Sequence, residues 1–113
     1  PSGEAVSIIP LFLDYIREGR LRGILADDGL WMDMGTPEAY LQAHLDFPSP
    51  VPRIHSRARV SPRAFVDGHC VIGPGAAVED GCRLQGCVVW PGVCVPSGTC
   101  AERRIFYCSP TDY

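Results

Sequence analysis

The sequence predicts a mainly β protein, in which a short three-sided parallel solenoid follows a small α/β segment. Large aliphatic residues recur at every sixth position from Ile54 onward, and small residues recur on a second phase of the same period. The preceding residues, 1–46, instead show apolar residues at three-to-four spacing, which is typical of helices. The change of period therefore divides the chain into two regions.

The first region begins with signals for one helix and two strands. Ser7 precedes apolar residues at helical spacing and Gly19 follows them, so we expect a helix between these two residues. Residues 21–26 and 30–34 are short apolar runs on either side of an Asp-Asp-Gly turn. They predict two short strands.

A second helix and a linker complete the first region. Thr36 is a good N-cap, Pro37 suits the first helical position, and the helix is predicted to continue through about Asp46. Residues 47–53 carry three prolines, which disfavour a helix and favour a stiff, extended connector. We therefore predict a domain boundary within this stretch.

From residue 54 the inward-pointing side chains are predicted to lie on two phases. The large phase is Ile54, Val60, Val66, Ile72, Val78, Leu84, Trp90 and Pro96. The small phase is Ala58, Ala64, Cys70, Ala76, Cys82, Val88, Cys94 and Cys100. One hexad is a short strand plus a corner and three hexads close a coil, so residues eighteen apart should stack at the ~4.8 Å spacing of parallel strands. Two predicted columns are Ile54, Ile72 and Trp90, and Ala64, Cys82 and Cys100.

The six cysteines do not form a metal or disulfide pattern, because no CxxC pair is present. Four of them lie on the small phase, and we expect them to be buried thiols in a reducing, cytoplasmic compartment. These four are Cys70, Cys82, Cys94 and Cys100. The pattern gives no role to Cys87 or Cys108.

Composition also limits the possible partners. The formal net charge is −3, which argues against a nucleic-acid partner held by phosphate contacts. The apolar runs are far shorter than the ~18 residues of a membrane span, so we expect a soluble protein with no membrane role.

Residues 31–44, WMDMGTPEAYLQAH, resemble the segment that closes the catalytic domain of NDP-sugar pyrophosphorylases, most closely the mannose-1-phosphate guanylyltransferase type. The hexads in VIGPGAAVEDGCRLQGCVVWPGV resemble the left-handed parallel β-helix of hexapeptide-repeat proteins. Together these resemblances imply three parts. They are the end of a nucleotidyltransferase catalytic domain at 1–46, a linker at 47–53, and a left-handed β-helix with a C-terminal cap at 54–113.

The family resemblance implies an activity and a metal site. Such enzymes join a sugar-1-phosphate to a nucleoside triphosphate, release pyrophosphate and form an NDP-sugar, with Mg²⁺ neutralising charge at the reacting phosphate. Asp33 matches the aspartate of the family's W-x-D-x-G motif, which implies a catalytic, metal-binding role in the intact enzyme. The family's glycine-rich loop and second metal-binding aspartate have no counterpart here. We therefore expect a fragment of a longer enzyme, inactive alone and without bound Mg²⁺.

Two other functions are compatible with a hexapeptide repeat. One is an acyltransferase, with His55 or His69 as the general base. The other is a non-catalytic assembly or regulatory subunit. Self-association through the β-helix is expected for either reading, and for the nucleotidyltransferase too. The nucleotide and the sugar stay open, because the residues that would select them are not in this sequence.

Overall fold

The structure, a computed structural model, describes residues 3–47 and 49–108. In these ranges it contains two helices and ten short strands, and the strands stack in parallel as a solenoid. The chain divides into two compact units, Pro1–Trp31 and Met32–Tyr113. The predicted fold class, mainly β with a parallel solenoid, is confirmed.

Helix α1, Ile9–Arg17, lies in the first unit. The Ser7 hydroxyl accepts a hydrogen bond from the Ile9 N–H at 3.3 Å, and Gly19 follows the helix with a φ of 66°. Few residues other than glycine adopt this left-handed conformation at low cost, so Gly19 ends the helix as expected. The first predicted helix is confirmed, although its N-cap is Ile8 and not Ser7.

The two strands predicted at 21–26 and 30–34 are wrong, since neither segment contains an assigned strand or joins one of the sheets described by the structure. Their apolar side chains are largely uncovered, with Ile24 94% and Leu25 87% exposed. A strand is stabilised by the backbone bonds and side-chain pairs that a neighbouring strand provides. An apolar run with no such neighbour does not form one.

Helix α2, Pro37–Asp46, lies in the second unit and has the predicted bounds. The Thr36 hydroxyl accepts a hydrogen bond from the Ala39 N–H at 3.1 Å, which satisfies one of the free donors of the first turn. Pro37 follows the cap, where its missing N–H costs nothing. The sequence signals therefore set the start of this helix.

Ten strands form three coils and the beginning of a fourth. The strands are β1 Arg53–Ile54, β2 Arg59–Val60, β3 Phe65–Val66, β4 Val71–Ile72, β5 Ala77–Val78, β6 Arg83–Gln85, β7 Val88–Val89, β8 Cys94–Val95, β9 Cys100–Glu102 and β10 Ile105–Phe106. They make three parallel sheets with the orders β1-β4-β7-β10, β2-β5-β8 and β3-β6-β9. We call the three strand triplets coils 1, 2 and 3.

The register between coils is eighteen residues at first and seventeen afterwards. Ile54 pairs with Ile72 as predicted, but Ile72 pairs with Val89 rather than with Trp90. Val89 is 1% exposed and belongs to the core, whereas Trp90 is 43% exposed. The third member of the predicted column is therefore wrong, and Val89 and Phe106 continue that column.

Two corners of the solenoid contain one residue fewer than the others. The backbone turns through a positive φ at matching places on the corners, namely Gly75, Gly81, Gly86, Gly92, Gly98 and Arg103. Consecutive members are six residues apart except at Gly81 to Gly86 and at Gly98 to Arg103, where they are five apart. Each shortened corner moves the inward phase by one residue, which produces the seventeen-residue register.

The same shift corrects the prediction for the small residues. Cys70 and Cys82 are fully buried as expected, but Cys94 and Cys100 are exposed. Cys87, for which the six-residue pattern predicts no role, is fully buried in their place. Buried cysteines thus occupy the small inward positions just before β4, β6 and β7.

The C-terminal apolar residues extend a sheet. Ile105 and Phe106 lie in the C-terminal segment where a cap is predicted, and they form β10, which pairs with Val88 and Val89 of β7. Phe106 also packs against the core. Tyr107 is 61% exposed, so its side chain covers little of the solenoid.

Candidate functional site

Helix α2 lies on the outer face of the first sheet. Val88 is 3% exposed although it does not belong to the solenoid core, so another element must cover it. Leu41 and Ala43 of α2 are buried as well. A Cβ atom built on Gly86 would lie 3.1 Å from Leu45 Cδ2, which shows how closely the helix approaches the corner. This apolar contact fixes α2 on the solenoid.

Two arginines bind α2 from opposite ends of the coil stack. The Arg53 guanidinium, in coil 1, donates to the His44 carbonyl at 3.0 Å. The Arg103 guanidinium, after coil 3, donates to Gln42 Oε1 at 3.0 Å. Burial lowers the pKa of His44, and the charge of Arg53 lowers it further, so both favour the neutral imidazole. The C-terminal half of α2 is therefore bound to both ends of the coil stack.

A cleft of about 630 Å³ separates the N-terminal part of α2 from coil 3. Its lining is mainly apolar and includes Met34, Gly35, Thr36, Pro37, Glu38, Tyr40, Leu41, Trp90, Arg103, Arg104, Ile105 and Tyr107. The Trp90 ring lies 6.3 Å from Tyr40 and 6.0 Å from Tyr107 between centroids, within the range of aromatic pairs. We call this feature the α2 cleft.

Asp33 immediately precedes the segment that forms one wall of the α2 cleft. Its Oδ1 accepts a hydrogen bond from the Gly35 N–H at 3.0 Å, and the side chain is exposed. A Cβ atom on Gly35 would lie 3.3 Å from the same oxygen, closer than an ordinary contact. Glycine at this position therefore lets the carboxylate bind the backbone just before α2 begins.

The geometry around Asp33 fits one ligand of a magnesium ion. Mg²⁺ in proteins commonly keeps several waters and takes one or two carboxylates together with substrate phosphates. Asp33 offers one accessible carboxylate. Among residues 3–47 and 49–108, no three His, Cys, Asp or Glu side chains are grouped closely enough to hold a metal ion by themselves. The catalytic and metal-binding role of Asp33 stays a prediction.

Other residues of the 31–44 segment have different environments. Tyr40 is half-buried and packs edge-on against His44, with 4.7 Å between ring centroids, as expected for a packing residue. Trp31 is 83% exposed, so its side chain makes little contact with the rest of the described residues. The candidate bases of the acyltransferase reading, His55 and His69, are both exposed. His55 Nδ1 already accepts the Arg57 N–H at 3.1 Å.

The sequence reasoning missed the part that coil 3 plays in the cleft. Trp90 was expected in the interior, and Arg103 and Arg104 were not singled out, yet all three line the α2 cleft. A signal was present: Gly81 and Gly86 are five residues apart, while neighbouring turn glycines are six apart. That spacing would have placed Trp90 outside the core.

Comparison with known proteins supports the resemblance of the 31–44 segment and the repeats. The chain is 40% identical to a mannose-1-phosphate guanylyltransferase of Mycobacterium tuberculosis in an alignment that covers 91% of this chain. Its homologues are sugar-1-phosphate nucleotidyltransferases. A mannose-1-phosphate guanylyltransferase 1 of Arabidopsis thaliana is 34% identical over 68% of this chain. A glucose-1-phosphate adenylyltransferase of Corynebacterium jeikeium is 28% identical over 70%.

This nucleotidyltransferase homologue spans about a third of the length of the relatives it matches, with 33% of the mycobacterial protein and 27% of the corynebacterial protein covered. No family model matches the chain. No solved structure matches it either. In the part of the chain that the structure describes, neither helix is long and apolar enough to cross a membrane.

Proposed function

We propose that the chain is the C-terminal part of an enzyme that transfers a nucleotidyl group from a nucleoside triphosphate to a sugar-1-phosphate. The products are an NDP-sugar and pyrophosphate. The observation that carries this proposal is Asp33, held by the Gly35 N–H directly before α2 in a chain whose homologues are nucleotidyltransferases. In the proposed enzyme, α2 packs on the solenoid, and this packing holds the segment that carries Asp33 in place.

We infer that the substrates are GTP and mannose-1-phosphate. The mycobacterial mannose-1-phosphate guanylyltransferase shares 40% identity with this chain, against 28% for the corynebacterial glucose-1-phosphate adenylyltransferase. The match to the first protein also covers more of the chain, 91% against 70%. The residues that would contact the base and the sugar lie outside this segment in the proposed enzyme.

Asp33 is the residue of this chain that would hold a divalent cation, with Mg²⁺ the best match to a carboxylate ligand. When bound, the ion would neutralise charge on the triphosphate and on the attacking sugar phosphate. The Gly35 N–H restricts the carboxylate to one orientation, since it occupies Oδ1. A pre-oriented carboxylate loses less conformational freedom when the cation binds. One catalytic-type carboxylate is not a complete site, so we expect these 113 residues alone to be inactive.

We propose that the solenoid mediates self-association of the enzyme in the cytoplasm. Large apolar side chains on its surface remain accessible, with Phe65 50% and Ile54 42% exposed. Burying such side chains against a second copy is favourable. Light scattering after size exclusion should give a mass above that of a monomer, and a monomer at all concentrations would contradict self-association.

The proposed reaction can be tested with one substitution and a matched control in the full-length protein. Asp33→Asn keeps the size of the side chain and one acceptor oxygen but removes the charge. Substitution of a residue that only hydrogen-bonds to a metal ligand typically lowers metal affinity or activity by about 10–100-fold. We therefore expect loss of a direct ligand to lower the rate of pyrophosphate release by about 100-fold or more. Asp46→Asn, at the exposed end of α2, should leave the rate near that of the wild type. Equal rates for both variants would contradict the proposal.

A further inference from the structure

Two buried cysteines lie one above the other at the corner shared by coils 1, 2 and 3. Cys70 precedes β4 and Cys87 precedes β7, and these strands pair with Val71 opposite Val88. The residues before them are therefore stacked on successive coils. The Cys87 N–H donates to Cys70 Sγ at 3.3 Å, so the first sulfur touches the backbone of the second cysteine. Both residues are 0% exposed.

We propose that Cys70 and Cys87 form a reversible disulfide that locks one coil of the solenoid to the next. Parallel strands place stacked Cα atoms about 4.8 Å apart. Disulfides span Cα separations of about 4.4–6.8 Å, so the bond requires no large movement of the backbone. The inference rests on the stacking of the coils and is independent of the proposed transferase activity.

The pairing is specific to this corner among the described residues. Cys82 is equally buried, but the register places Ala64 below it and Thr99 above it. Cys94 lies above Ala77, and Cys100 lies above Arg83. Cys82 is therefore a matched control. Like Cys70 and Cys87, it is a buried cysteine at a corner of the solenoid, but no other cysteine is stacked on it.

Polar groups around the two thiols hold the corner in place. Asp67 Oδ1 accepts the Cys70 thiol at 3.2 Å and the Gly86 N–H at 2.9 Å. The Cys87 thiol donates to the Gln85 carbonyl at 3.4 Å. Each thiol therefore has a polar partner at the same corner.

A peroxide supplies the oxidising equivalents. One of the two thiols, as its thiolate, attacks one peroxide oxygen, which breaks the O–O bond, forms a sulfenic acid and releases hydroxide. The other thiol then attacks the sulfenic sulfur, the S–S bond forms, and the sulfenic oxygen leaves as water. Overall two thiols and one hydrogen peroxide give one disulfide and two waters. Hydrogen peroxide is small enough to reach a buried corner during local opening of the coil.

The test is oxidation of the full chain with hydrogen peroxide, in a variant whose exposed cysteines at 94, 100 and 108 are serine. After removal of peroxide, free thiols are alkylated in denaturant and the chain is digested with trypsin and a glutamate-specific protease. Cleavage after Glu79 and Arg83 puts each remaining cysteine on a separate peptide. We expect a dithiothreitol-sensitive cross-link between the peptides of Cys70 and Cys87, with Cys82 fully alkylated.

Controls separate native geometry from chance pairing. The cross-link should persist in Cys82→Ala and disappear in Cys70→Ala, and oxidation in denaturant should give mixed pairings. Because alanine already occupies equivalent small positions at Ala58, Ala64 and Ala76, these variants are expected to fold. The locked chain should also unfold at a higher temperature than the reduced chain. The proposal is wrong if native oxidation yields no link between Cys70 and Cys87, links Cys82 instead, or lowers the unfolding temperature.

Discussion

Replacing Val89 by alanine tests the shifted register of the solenoid. Val89 is 1% exposed and lies next to Ile72 in the inward column. The substitution removes two buried carbon atoms, which is worth about 1.6 kcal/mol at ~0.8 kcal/mol for each methylene-sized group. The cavity left behind raises the cost, so we expect the free energy of unfolding to fall by about 2–3 kcal/mol.

The assay is a urea titration followed by the fluorescence of Trp90, with Trp31 replaced by phenylalanine to remove the second signal. Val51→Ala is the matched control, because the same atoms are removed from a residue that is 61% exposed. We expect the control to change the free energy of unfolding by less than about 0.5 kcal/mol. If Val89→Ala is no more destabilising than Val51→Ala, then Val89 is not an inward residue and the seventeen-residue register is wrong.

Two further predictions concern the corner that precedes β7. Gly86→Ala should destabilise the chain more than Gly92→Ala. Both positions have a positive φ, so alanine is strained at each of them. A Cβ atom on Gly86 would also crowd Leu45 of α2, whereas a Cβ atom on Gly92 would have open space. Equal losses in thermal unfolding would show that α2 does not pack there. At Asp67, burial raises the pKa, but hydrogen bonds from the Gly86 N–H, the Cys70 thiol and the His69 N–H outweigh burial and lower the pKa. Its contribution to stability is therefore complete above about pH 4 and is lost as pH falls through the lowered folded-state pKa. Asp67→Asn should reduce the loss of unfolding free energy between pH 7 and pH 3, and an unchanged loss would show that Asp67 does not contribute to it.

The six-residue period was sufficient to predict the solenoid, because a corner and a short strand are local and repeat with the sequence. It could not fix the register after coil 2. Val88, Val89 and Trp90 are consecutive apolar residues, so either of two phases places an apolar side chain inside. The length of the corner at Gly86 decides between them. That length follows from backbone conformation and is visible in the sequence as a five-residue spacing of glycines.

In residues 3–34, local signals predicted the helix correctly but predicted two strands wrongly. Ser7 and Gly19 act locally on α1, and that helix was predicted correctly. The strands expected at 21–26 and 30–34 depend on partners distant in sequence, and an apolar run does not reveal whether such a partner is present. Asp33 is a similar case. Its motif predicts a metal-binding role, but the other groups that a catalytic site needs do not lie near Asp33 in the sequence.

The most direct test of the functional account is the reaction itself. The full-length protein is incubated with Mg²⁺, GTP and mannose-1-phosphate, and phosphorus NMR follows the phosphate species. We expect GDP-mannose and pyrophosphate to appear in equal amounts while GTP and mannose-1-phosphate are consumed. If no NDP-sugar forms with this pair or with any other nucleoside triphosphate and sugar-1-phosphate, the protein is not the transferase proposed here.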